Sequence, residues 1–296
     1  MYEYLRQHPQ IYMPGGDSLG SRNKEPHFFG SDLSFTNGAR PVSSMEQYLG
    51  LFNEATEETR LGEASVWYLM SRCAATEIRR FSPDARIIVM LRNPVDVMYR
   101  IYNQGRVNGM ENIARFEDAL DAEESRVRGR RLPPVYAMLE HLLYRRSVQF
   151  ADQLERYFDQ IGPERTHVIL FEDFTNDTAA VYTSTLQFLG VREHMLDDFP
   201  KHNPALAVRH YGLQRWLQHP PRILGRLGRM LLPASARDRL GGRLILSNVK
   251  AGKLPTLDAG LRRRLQAELA PQVNRLSELL RRDMSHWLRE PSGQSR

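Results

Sequence analysis

Two short apolar runs, "RIIVML" at Arg86–Leu91 and "THVILF" at Thr166–Phe171, constrain the fold of this chain more than any other feature in it. Each is too short for a stable helix and apolar without alternation. A strand covered on both faces takes this pattern, and such strands belong to parallel sheets. Weaker strand candidates lie at Gln10–Met13 and Leu61–Ser65. Around them, apolar spacing predicts helices at Met1–Gln7, Met45–Ala55, Tyr68–Phe81, Pro94–Asn103, Pro134–Gln160, Thr178–Leu189 and Asp258–Leu280. Strands alternating with helices predict an α/β fold, a parallel sheet flanked by helices.

The length of 296 residues suffices for a sizeable core, and no Gly/Ser-rich or Pro-rich linker divides it. The expectation is a single domain over residues 1–288, with the polar tail 289–296 disordered. The net charge of +6 comes mostly from arginine, with runs at Arg126–Arg131, Arg222–Arg229 and Arg262–Arg264. Such a balance attracts nucleotides, anionic glycans, nucleic acid or membrane surfaces without choosing among them. The basic runs lack the aromatic interleaving of a nucleic-acid binder, so no nucleic-acid partner is expected. A lone Cys73 excludes an intrachain disulfide and a Cys-rich zinc site. The first residues, "MYEYLRQHPQ", carry neither the basic nor the apolar region of a signal peptide, and no run of about 18 apolar residues occurs. A cytoplasmic protein without stable membrane insertion is expected; oligomeric state cannot be read. No G-x-x-x-x-G-K-[ST] is present, which sets a Walker-type kinase or NTPase aside.

Ligands of an open parallel sheet bind beyond the carboxyl ends of its strands. In "IIVMLRNPVDVMYR", Asn93 is a good N-cap and Pro94 suits the first helical position, so the strand passes into a helix through Arg92. A guanidinium there, beside the free N–H groups of a helix N-terminus, suits a phosphate. Pairing of Arg92 with a carboxylate such as Asp96 accounts for it equally well. A second unusual stretch is "NKEPHFFGSD", Asn23–Asp32, which makes neither a clean helix nor a clean strand.

Taken together, these residues resemble the sulfotransferases that use 3′-phosphoadenylyl sulfate (PAPS), particularly the heparan-sulfate-type branch and its bacterial relatives. "LRNPVDVMYR" is similar to that family's 3′-phosphate segment and "KEPHFF" to its catalytic-base segment. "GEASVWYL", "ILFEDFTND", "LQFLGV", "NVKAGKLPTLD" and "LSELLRRDMSHW" resemble later family segments in the same order. The resemblance implies a P-loop-NTPase-like sulfotransferase fold and transfer of a sulfuryl group from PAPS to a hydroxyl or amino acceptor, a carbohydrate first among them, with no metal. Glu25 matches the general base, flanked by Lys24 and His27 to orient the acceptor. Arg92 matches the 3′-phosphate ligand. Lys250, Gly252 and Lys253 match a cationic loop over the donor.

Bland readings stand beside these roles: a surface Lys24–Glu25 pair, and solvated loop lysines at 250 and 253. Arg100 stands where the family usually has a serine; it either grips the 3′-phosphate or pairs with Asp96 one helical turn away. Trp67 either lines the acceptor cleft or belongs to the core, and Asp32 lies near a position that is acidic in some relatives. The family's first strand and 5′-phosphosulfate loop have no counterpart ahead of "MYEYLRQHPQI". The alternative function is therefore a non-catalytic relative that binds an anionic polymer or a protein partner.

Overall fold

A computed structural model describes residues 1–15, 24–36, 40–200, 206–208, 210–218, 247–251 and 254–289 of the chain, and both apolar runs are strands in it. In chain order the elements begin with α1 (Tyr2–Leu5), β1 (Ile11–Tyr12), α2 (Met45–Gly50), β2 (Arg60–Leu61), α3 (Ala74–Phe81), β3 (Ile87–Leu91) and α4 (Pro94–Val107). They continue with α5 (Phe116–Asp121), α6 (Glu123–Val127), α7 (Tyr144–Ser147), α8 (Phe150–Gln160), β4 (Thr166–Leu170), α9 (Phe171–Asn176) and α10 (Thr178–Leu189). β5 (Leu206–Val208), α11 (Tyr211–Gln218), β6 (Val249–Ala251) and α12 (Ala259–Leu280) complete the series. The chain divides into two compact units: Met1–Asn93 with Gln149–His202 and Pro271–His286, and Pro94–Val148 with Asn203–Ala270 and Trp287–Arg296.

In the first unit, β3 and β4 pair in parallel from Ile87↔Thr166 to Leu91↔Leu170, and β1 and β2 pair in parallel at Ile11↔Arg60 and Tyr12↔Leu61. Ile87 packs against one buried cluster, which contains Phe29, Tyr48, Tyr68, Ile78 and Tyr157. Ile88 packs against another, which contains Tyr4, Leu5, Ile11, Tyr182 and Leu186. Successive residues of a strand point to opposite faces, so β3 is covered on both, and this is why its sequence does not alternate. Helix α10 starts where Asp177 accepts the Ala180 N–H (2.9 Å) and stops where Gly190 takes a left-handed φ of +67°.

The second unit is built on α4, whose Met98 and Tyr102 are buried. It contains the antiparallel pair β5–β6, in register at Leu206↔Ala251, Ala207↔Lys250 and Val208↔Val249. Its core encloses an ion pair. Arg126 Nη2 lies 2.7 Å from Glu111 Oε2, and both side chains are fully out of contact with solvent. The Tyr144 hydroxyl donates to the same carboxylate, and burial drives its pKa well above the usual phenol range.

Three expectations need correction. The helical spacing over Pro134–Gln160 is broken into a 3₁₀ turn at Leu139–Leu142 and the separate helices α7 and α8. Tertiary polar contacts override periodicity here: the Arg145 N–H donates to Glu123 Oε1 (2.8 Å) instead of to the preceding turn, and Tyr144 turns in to Glu111. The predicted helix over Tyr68–Phe81 begins only at Ala74, because the Ser71 hydroxyl accepts the N–H groups of Cys73 (3.1 Å) and Ala74 (2.9 Å) and interrupts the chain there. Finally, Leu61–Ser65 is strand only at its first residue; the rest turns away to meet the segment around Glu25, with Ala64 N–H donating to the Lys24 carbonyl (3.3 Å).

Candidate functional site

From Glu25 to Phe28 the chain has no regular secondary structure, so its backbone groups need partners from elsewhere. They find them within the first unit. His27 N–H donates to Ser65 Oγ (3.0 Å), Phe29 N–H to the Tyr68 hydroxyl (3.1 Å) and Gly30 N–H to Glu77 Oε2 (2.7 Å). On the acceptor side a single guanidinium does the work of a strand neighbour. Arg40 Nη1 donates to the carbonyls of His27 (2.9 Å), Phe28 (3.0 Å) and Phe29 (3.1 Å), and Nη2 to that of Gly30 (2.8 Å). Phe29 is buried in the core, and Phe28 stacks on Tyr48 at 4.6 Å between ring centres. Between these anchors His27 holds a left-handed φ of +48°, a conformation that is costly for a non-glycine residue and persists only where its surroundings enforce it.

Arg40 predicts a measurable effect. A lysine has no planar fork and cannot reach four carbonyls at once. Arg40→Lys is expected to lower hydrogen-exchange protection of the His27, Phe29 and Gly30 amides by roughly tenfold, the worth of one net hydrogen bond. Unchanged protection would remove Arg40 as the organiser of the segment.

The strained residue puts its ring next to the carboxylate two positions earlier. His27 Nε2 lies 3.5 Å from Glu25 Oε2, and the Glu25 side chain is 27% exposed while that of His27 is 10% exposed. A carboxylate thus faces solvent with an imidazole behind it. Lys24 sets its ammonium over the Tyr2 ring at 5.1 Å. Asp32 caps the start of α3: it accepts from the Ser71 hydroxyl and from Arg72 N–H (2.8 Å). Burial pushes the Asp32 carboxyl up, but these hydrogen bonds outweigh it and hold the group below the usual carboxylate range. Trp67 is half-buried in a 3₁₀ turn, Val66–Tyr68.

Arg92 follows the carboxyl end of β3, with its guanidinium over the ring of Phe171, the residue that follows β4, at 4.4 Å. It therefore sits where parallel strands present their ligands. Lys24, Glu25, His27, Asp32, Trp67 and Arg92 all belong to the first unit. Of the remaining candidates, Arg100 is exposed on α4 in the second unit, with no ion pair among the described residues. The carboxylate expected for it, Asp96, is bonded to Arg262 (2.8 Å). Lys250 lies in β6, paired through its backbone with Ala207. Gly252 and Lys253 lie outside the described residues, as do most of the arginine-rich stretch after Gln218 and the tail after Arg289. Among the described residues no group of three His, Cys, Asp or Glu side chains converges as a metal site, and no helix is long and apolar enough to cross a membrane.

Sequence reasoning passed over Arg40, Glu63, Ser65, Tyr68 and Glu77 as individuals. Glu63, Ser65 and Tyr68 lie inside "GEASVWYL", which it did single out, whereas nothing about Arg40 or Glu77 sets them apart from solvated charges.

Residues 51–205 match the family model for the sulfotransferase domain. The crystal structure of a sulfotransferase from Alicyclobacillus acidocaldarius superposes with a TM-score of 0.67 at 27% identity, over 97% of this chain and 92% of that one. A sulfotransferase domain from the curacin biosynthetic pathway aligns at 13% identity and a TM-score of 0.36, over 80% of this chain and 68% of that one. No curated protein matches the chain.

Proposed function

The chain belongs to the sulfotransferase domain family, and from that premise we propose that it moves a sulfuryl group from 3′-phosphoadenylyl sulfate to a hydroxyl or amino group, with a carbohydrate as the acceptor class and Glu25 as the general base. The observation that carries this reading is the placement of Glu25: a partly exposed carboxylate, 3.5 Å from an imidazole, on a strained segment that Arg40, Ser65, Tyr68 and Glu77 hold in place. So many constraints on an irregular segment fit a group that must be presented in one orientation.

The chemistry asks for three things of the protein. The acceptor O–H or N–H must lose its proton as the oxygen or nitrogen bonds to sulfur, and Glu25 accepts that proton. The attacking atom must be held in line, a task for Lys24 and His27 on either side of Glu25. Fixed cations must balance the negative charge left on the departing bisphosphate. When bound, the donor supplies the activated sulfuryl group and that leaving group. Arg92 fits the donor's 3′-phosphate: a guanidinium oriented by an aromatic ring offers planar N–H donors suited to a bidentate phosphate contact.

Calorimetric titration with 3′-phosphoadenosine 5′-phosphate, with 5′-AMP as control, tests the donor site. The bisphosphate is expected to bind, AMP to bind much more weakly, and Arg92→Ala to weaken the bisphosphate roughly 10- to 100-fold, as for loss of a charge-assisted hydrogen-bonded pair. Equal affinity for the two nucleotides, or indifference to Arg92→Ala, sinks the assignment. Binding of anionic polymers that ignores Arg92→Ala and weakens with salt would instead identify a non-catalytic binder.

A further inference from the structure

Helix α9 follows β4 without a loop, and its first residue, Phe171, carries the Arg92 guanidinium on its ring at 4.4 Å. The helix has little hold on the fold by itself. It is six residues long, no side chain caps its N-terminus, and none of its residues is fully buried. A helix that short is not stable alone. Phe174 reaches a core cluster and meets the Tyr4 ring at 5.9 Å, which secures the middle of the helix. Its first turn, next to Phe171, presents the carboxylates of Glu172 and Asp173.

Both carboxylates are met by the chain that leaves α12. Arg281 takes a left-handed φ of +50°, its N–H donates to the Glu278 carbonyl (3.1 Å) and the Arg282 N–H to the Ser277 carbonyl (3.0 Å), so α12 ends in a Schellman turn. Beyond it the Ser277 hydroxyl accepts the Met284 N–H (3.0 Å), Met284 is fully buried, and Asp283 accepts the Ser285 N–H (2.8 Å). A turn tied in this way has little freedom. From it Arg282 reaches Asp173 with both terminal nitrogens, Nη1 to Oδ2 and Nη2 to Oδ1 (2.7 Å), which is the bidentate form of the pair. His286 Nε2 lies 2.8 Å from Glu172 Oε1. The N–H groups of Arg282 hold the Asp173 carboxyl below the usual carboxylate range. Arg92, α9 and the turn from Arg281 to His286 all belong to the first unit.

We propose that Arg282 and His286 form a clasp on the first turn of α9 that sets the Phe171 ring under Arg92, which makes them positioning residues acting on that guanidinium through Phe171. A long side chain such as arginine binds a phosphate well only when its orientation is fixed beforehand, because the freedom it loses on binding is then already lost. The aromatic face supplies that orientation, and the clasp holds the face. Arg282 also balances a carboxylate two residues from Phe171 that would oppose an anion brought to Arg92. The consequence for nucleotide binding rests on the reading of Arg92 as the 3′-phosphate ligand; the clasp itself does not.

The test is NMR of the arginine side chains in the full chain, with the Arg92 Nε–H signal assigned by its loss in Arg92→Lys. The circulating electrons of an aromatic ring shield a group above its face, so the wild-type signal is expected upfield of the other arginines, and Arg282→Ala should return it toward them. Exposed ion pairs add little to global stability, so this variant is expected to fold. Arg275→Ala is the control: it removes a comparable exposed pair from α12, with Asp152 and Glu155 of α8 (2.5 Å each), and should leave the signal in place. A wild-type signal without the upfield displacement overturns the proposal, as does an unmoved signal in folded Arg282→Ala or an equal movement in Arg275→Ala. Calorimetry with 3′-phosphoadenosine 5′-phosphate should show affinity lowered roughly 3- to 10-fold in Arg282→Ala, unchanged in Arg275→Ala, and partly restored in Arg282→Lys, which keeps the charge without the fork. If the signal moves and the bisphosphate affinity does not, the clasp stands and the assignment of Arg92 to the 3′-phosphate falls.

Discussion

Glu25→Gln is expected to lower sulfuryl transfer by roughly 10²–10⁴-fold, the usual worth of a positioned general base, while bisphosphate binding stays at the wild-type level. The substitution keeps the shape of the side chain and leaves an amide oxygen to face His27, so the segment between Lys24 and Gly30 retains its anchors. None of those anchors involves the Glu25 side chain: they are Arg40, Ser65, Tyr68 and Glu77 acting on backbone groups. What is removed is the ability to carry a proton at neutral pH. The loss should therefore fall on kcat, with acceptor KM little changed, which is the pattern of an interaction made only as the acceptor is deprotonated. Steady-state kinetics paired with calorimetry on the same preparation reads both quantities. Wild-type turnover in Glu25→Gln would end the base assignment.

The largest effect on stability is expected in the second unit, at Glu111. Its carboxylate is buried with Arg126 and receives the Tyr144 hydroxyl and the Ile113 N–H (2.8 Å), while Arg126 Nη1 donates to the Leu142 carbonyl (3.3 Å). Removing one member of a fully desolvated pair leaves an uncompensated charge in low dielectric. Glu111→Ala should therefore cost about 3–5 kcal/mol, and Arg126→Met a similar amount. The double variant Glu111→Leu/Arg126→Met buries no charge and should recover part of the loss, so the two single effects will not add. Urea denaturation of the three variants checks the sign of that coupling. Single variants within about 1 kcal/mol of wild type would mean that the unit tolerates the buried charge by admitting water.

Local pattern and tertiary context contributed differently along the chain. Helix α10 was legible to the residue, because both of its boundaries are local: an aspartate cap at Asp177 and a left-handed glycine at Gly190. Strands β3 and β4 were legible because a strand buried on both faces must be apolar throughout, and nothing else of that length is. The breaks at Ser71 and around Tyr144 were not legible. Ser71 caps its own neighbours Cys73 and Ala74 while its hydroxyl donates to Asp32, and Tyr144 turns in to Glu111; hydrogen bonds of this kind leave no mark on apolar spacing.

The candidate site divides along the same line. By itself the sequence determined the fold class, the order of the family-like segments, and the positions of Glu25 and Arg92 next to structural punctuation, because proline, glycine, caps and apolar runs act through short-range sterics. Only the tertiary structure decided which carboxylate faces solvent and which faces an imidazole. It set Asp32 to cap a helix, Asp96 to meet Arg262, and Glu25 to lie beside His27. Those outcomes depend on burial and on the distance between charges, and both are properties of the packed chain.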